Sequence, residues 1–162
     1  MRRGRCISRG TSGRPAASVA GETIRAFLGL AAHLMLAARA RSPRVEVRVI
    51  QADAKVQDET VIRCDADLDR WRRTARLTGF GGTDFRPVFA HVEHLLRQGV
   101  LRSVDGLVYL TDGAGAYPRE APAFPVAFVL TDDAADVPGW ALRFRTTHTE
   151  IVSLERRMED PS

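Results

Sequence analysis

Gly81-Gly82-Thr83-Asp84-Phe85-Arg86-Pro87 and, further on, Leu110-Thr111-Asp112-Gly113 are the stretches whose reading decides the fold. Each sets polar loop residues at the border of an apolar segment. Leu107-Val108-Tyr109-Leu110 is a continuous apolar run, the signature of a strand covered on both faces, and Asp112 lies just past its end. Pro87 sits where the first turn of a helix tolerates proline, and Asp84 is placed to cap it. Val88, Val92, Leu95 and Leu96 then give an inward stripe through Arg97. The Thr83 hydroxyl and the Asp84 and Asp112 carboxylates are raw material for an oxygen-lined site that suits a hard cation such as Mg²⁺.

The flanking sequence supplies the rest of the fold. Ile24, Phe27, Leu28, Ala31, Met35 and Ala38 recur at helical spacing and predict a helix ended by Ser42-Pro43. Val45, Val47 and Val49 alternate with Glu46 and Arg48, so residues 44–51 read as a strand. Val61-Ile62 suggests a shorter strand after a turn near Gln57-Asp58. Residues 65–78 suit either a helix with Leu68, Trp71 and Ala75 on one face or an exposed loop. Phe124–Leu130 is a second apolar run and Ala141–Phe144 a weaker one. Helices interleaved with buried strands predict an α/β fold, a Rossmann-like and mostly parallel sheet flanked by helices. Ligands of such sheets sit at the carboxyl ends of the strands, near the point where strand order reverses. Thr83, Asp84 and Asp112 all belong on that rim.

The totals fit one domain: 162 residues are enough for a core without metal or disulfide staples. No run approaches 18 consecutive apolar residues, so no transmembrane helix is expected. The net charge of +4 belongs to a tail: Arg2, Arg3, Arg5, Arg9 and Arg14 give residues 1–17 a charge of +5, and the remainder carries −1. Such an arm could grip phosphates, but a disordered Arg-Gly-Ser leader is the reading preferred here, without nucleic-acid binding. It lacks the apolar core of a secretory signal. Cys6 and Cys64 match no metal or redox spacing. Reduced thiols in a cytoplasm are therefore expected.

Taken in order, Val49-Ile50-Gln51-Ala52-Asp53, Gly81–Phe89, Asp105–Gly113 and Phe124-Pro125-Val126 resemble one family. It is the von Willebrand factor A-like (VWA-like) domain found at the C-terminal end of bacterial proteins that go under the name of metallopeptidases. The resemblance runs from about residue 18 to 145. It implies a metal-ion-dependent adhesion site for Mg²⁺ or Mn²⁺, in which Thr83 is the ligating threonine and Asp112 the ligating aspartate. An acidic residue of a protein partner would complete the coordination sphere.

One piece of that pattern has no counterpart. The family places Asp-x-Ser-x-Ser after its first strand. Aligning Thr11-Ser12-Gly13 puts Gly10 at the aspartate position and Arg14 at the second serine; aligning Ser18-Val19 puts Arg14 at the aspartate and Ala16 at the first serine. The apolar strand before it is missing from the sequence pattern as well. Three regions are thus expected: a disordered basic leader over 1–17, a VWA-like domain over 18–145 whose first strand is missing or degraded, and a polar tail over 146–162. A wrong start site, a frameshift or decay would account for the leader.

Other residues invite chemistry and fail to support it. His91-Val92-Glu93-His94 has no zincin spacing and reads as a solvated helix face. His33, in an apolar helix, is expected to pack. Asp53 and Asp84 read either as groups that support the ligands from behind or as loop-structuring groups, and Trp71 and Trp140 as packing residues. Ser12, Ser18 and Cys64 have no triad context, and no phosphate loop follows Gly79–Gly82. The expected function is a protein-interaction module that is not an enzyme on its own. The alternatives are a detached C-terminal part of a metal-dependent peptidase or hydrolase, and a truncated product without function.

Overall fold

A computed structural model describes residues 29–38, 40, 46–74, 84–111, 113–130 and 136–145, and the backbone of residues 3–10. Among the described residues, six strands form one sheet: β1 (Arg3–Gly10), β2 (Glu46–Ala52), β3 (Val56–Ile62), β4 (Ser103–Thr111), β5 (Val126–Leu130) and β6 (Leu142–Arg145). Their spatial order is β3-β2-β1-β4-β5-β6. All neighbours run parallel except β2 and β3, which form an antiparallel hairpin. Strand order reverses between β1 and β4, the place where doubly wound sheets open a crevice at their carboxyl ends.

The leader expectation meets a different backbone. Arg3–Gly10 runs as β1 through the middle of the sheet, from Gly4 beside Glu46 to Gly10 beside Thr111. Its composition offers little apolar pattern, which is why the sequence reading found no strand there. The neighbours supply the reason instead. β2 and β4 each present a row of backbone N–H and C=O groups toward the gap, and buried backbone groups must be paired. Tertiary context of this kind overrides strand propensity.

Among the described residues, three helices flank the sheet. Residues 29–38 are helical (α1), followed by α2 (Asp65–Thr74) and α3 (Arg86–Arg97). Leu30, Ala31, Ala32, Met35 and Ala38 of α1, with Leu68 and Trp71 of α2, pack onto Val47, Val49, Ile62 and Leu110. Val88, Phe89, Val92 and Leu95 of α3 pack on the opposite face against Ile50, Leu107, Tyr109, Val126 and Phe128. Residues 65–74 therefore resolve in favour of a helix, with Leu68 and Trp71 inward as the helical alternative required.

Two further details differ from expectation. β3 starts at Val56, because the hairpin turn lies at Asp53–Lys55, where the Asp53 carboxylate accepts the Lys55 N–H at 3.1 Å. His33 is exposed rather than packed. It lies two residues beyond Ala31, on the far side of a helix whose inward stripe is Ala31, Met35 and Ala38.

Candidate functional site

The rim at the carboxyl end of β4 is built by two loops that touch. Asp84, which precedes α3, forms a parallel bridge with Ala116. The Phe85 N–H donates to the Ala116 carbonyl at 2.9 Å. After β4, the fully buried Thr111 turns its hydroxyl onto the next loop and accepts the Gly113 N–H at 3.0 Å. Gly113 has φ +85°, a left-handed conformation that side chains disfavour. The Tyr117 hydroxyl donates to the Gly113 carbonyl at 2.6 Å. The Phe85 ring is buried against Tyr109 and Tyr117, with centroids 4.9 and 4.7 Å away. A rigid aromatic floor thus supports the junction of the two loops.

Thr83 and Asp112 lie outside the described residues, whereas Asp84, Thr111 and Gly113 lie within them. Asp84 and Thr111 belong to the same loop junction, so the two stretches singled out in the sequence meet at one end of the sheet. Beside them, β1 ends at Gly10, in register with Thr111.

The other rim carboxylates are committed to their own loops. Asp84 accepts the Arg86 backbone N–H at 3.0 Å and pairs with the Arg86 guanidinium through both oxygens, at 2.8 and 2.7 Å. That hydrogen bonding holds its carboxyl below the usual range. The first of these contacts satisfies the N–H of Arg86, which opens α3, but the N-cap position is Phe85 and carries no side-chain cap bond, so Asp84 stands one residue ahead of the cap expected of it. Asp53 accepts the Gln57 amide at 2.9 Å, the main cause of its own lowered pKa. Both residues structure loops, one of the two roles open to them from the sequence. Among the described residues, no group of three His, Cys, Asp or Glu side chains could hold a metal ion.

A second constellation was not legible in the sequence. Glu46 and Arg48, both buried, pair at 2.7 Å on the α3 side of β2. Arg48 reaches on to Glu59 of β3, Glu46 also accepts from Arg63 at 2.9 Å, and His91 of α3 lies 2.9 Å from the other Glu59 oxygen. Burial pushes the Glu59 carboxyl up, yet the hydrogen bonds from Arg48 and His91 outweigh it and leave the pKa lowered. His91 is thus half-buried and partnered, whereas Glu93 and His94 face solvent as expected. The signal available was weak: Glu46 and Arg48 alternate with valines as an exposed strand face would.

Two comparisons bear on these features. A family model described as VWA-like domain (DUF2201) matches residues 15–146, which bears out the VWA-like resemblance; β1 lies ahead of the matched range. No curated protein matches the chain.

Proposed function

The chain belongs to the VWA-like domain family (DUF2201), and on that premise we propose that it is a protein-interaction module whose contact point is the β4 rim. The observation that carries this reading is the junction of Asp84 and Phe85 with Ala116, which joins the Thr83 and Asp112 loops beside the strand-order reversal. Thr83 and Asp112 are the proposed ligands of a residual Mg²⁺ or Mn²⁺ site. One hydroxyl and one carboxylate are a chemically acceptable start for Mg²⁺, which keeps several waters and takes one or two carboxylates. An acidic residue of a protein partner would add the second carboxylate. With Asp53 and Asp84 engaged elsewhere, few donors remain among the described residues, and the reading is of a weak site. On this reading the chain works by binding, not by catalysis.

The test is a Mn²⁺ titration followed by electron paramagnetic resonance, which reads the free ion. The expected result is saturable binding that Asp112→Ala abolishes and Thr83→Ala weakens. Binding that is absent, or equal in Asp112→Ala, removes the cation from the proposal.

A further inference from the structure

β1 fills the middle of the sheet with residues that do not match its surroundings. A parallel strand covered on both faces normally reads as a near-continuous apolar run. β1 reads Arg-Gly-Arg-Cys-Ile-Ser-Arg-Gly and brings a single large apolar residue, Ile7, to that place. Its neighbours have the opposite character. Position 5 stands in register with Val47 of β2 and Gly106 of β4, position 7 with Val49 and Val108, and position 9 with Gln51 and Leu110. Val47, Val49 and Leu110 are buried in the core beneath α1 and α2, and Val108 packs against them. Position 8, on the other face, stands between Ile50 and Tyr109, both buried under α3.

Arg5 and Arg9 thus hold register positions in an apolar row, where a charge is costly unless it is paired. The ladder bonds that seat β1 are backbone bonds, which a strand of any sequence without proline can make. The slot between β2 and β4 is therefore better matched to another sequence than to the one that occupies it.

We propose that β1 is an exchangeable strand, and that the slot between β2 and β4 takes an extended apolar segment of a partner protein, inserted parallel to both neighbours. Main-chain bonds to β2 and β4 hold the guest, and apolar residues at positions 5, 7 and 9 set its specificity. A second copy is a poor donor. Among the described residues, its apolar strands β2, β4 and β5 are each paired on both sides within its own sheet. β1 keeps the advantage of covalent attachment, so only a better-matched guest displaces it. The inference is independent of a cation at the β4 rim.

The probe is a fluorescent peptide with the sequence of residues 3–10 carrying Arg5→Val, Cys6→Ser and Arg9→Val, refolded from urea together with the full chain. Gel filtration then separates bound peptide from free. The wild-type chain should retain this peptide, and should retain severalfold less of one carrying Cys6→Ser alone. A full chain with Arg5→Val and Arg9→Val fills its own slot, so it should retain severalfold less of the valine peptide and melt at a higher temperature than the wild type. The proposal is overturned if the wild-type chain retains no valine peptide, or retains both peptides alike. Equal retention by the two chains overturns it too, since the peptide would then lie on an outer edge of the sheet. So does a melt of the doubly substituted chain no higher than that of the wild type.

Discussion

The Phe85 N–H and the Ala116 carbonyl, 2.9 Å apart, tie the loop that opens α3 to the loop that leaves β4. Two segments distant in sequence are thereby held at one end of the sheet, each flanking one of the proposed ligands. The bond is backbone to backbone, so no side-chain motif announces it. The consequences for stability and binding can each be measured.

Gly113 is the hinge of the second loop. Its φ of +85° would force any L side chain into a left-handed conformation, at about 1–2 kcal/mol. Gly113→Ala should lower stability by that amount in urea unfolding, with the fold retained. It should also weaken Mn²⁺ binding, because the strain falls next to Asp112.

Arg48 neutralises two carboxylates, Glu46 and Glu59, of which Glu46 is almost wholly buried. Removing one partner of a buried ion pair costs about 3–5 kcal/mol when the charge left behind has no other partner; here Arg63 stays on Glu46 and His91 on Glu59, so the lower end of that range applies. Arg48→Ala should therefore destabilise on that scale in urea unfolding. Arg86→Ala, whose pair with Asp84 is solvent-exposed, should destabilise far less.

The same network sets an acid response. The folded state holds the Glu59 pKa below its ordinary value, so Glu59 contributes stability above its unfolded pKa of about 4.3. That contribution is lost as pH falls through the depressed folded value. Urea midpoints taken between pH 6 and pH 3 should decline less steeply in Glu59→Gln than in the wild type, and equal declines would remove Glu59 from the account.

How far the sequence carried the fold can be judged from particular elements. The apolar runs at Leu107–Leu110 and Phe124–Leu130 placed β4 and β5, and the Val88-Val92-Leu95 stripe placed α3, because in each the burying face is written in consecutive or periodic residues. β2 was found by its alternation, but the burial of Glu46 and Arg48 was not. Their partners Glu59 and His91 are remote in sequence, and only the sheet brings them together. β1 was missed altogether, since its place follows from open ladder edges on β2 and β4 and not from its own pattern. At the rim, residue types pointed to Thr83 and Asp112, while the loop junction beside them became visible only in the backbone.

The central place of β1 has its own test. Proline at Ile7 removes a backbone donor from a strand paired on both sides, a position where sheets do not accept proline. Ile7→Pro should abolish cooperative unfolding. A cooperative melt like that of the wild type would show that residues 3–10 contribute nothing to the sheet.

The most direct measurement of the central claim is thermal unfolding by circular dichroism in EDTA and in millimolar Mn²⁺, for the wild type and Asp112→Ala. A ligand that binds only the native state stabilises it by mass action. With about 1 kcal/mol of binding, the wild-type midpoint should rise by about 2–4 °C and that of Asp112→Ala should not move. Superimposable wild-type melts with and without Mn²⁺ would contradict the claim that the β4 rim retains a cation site.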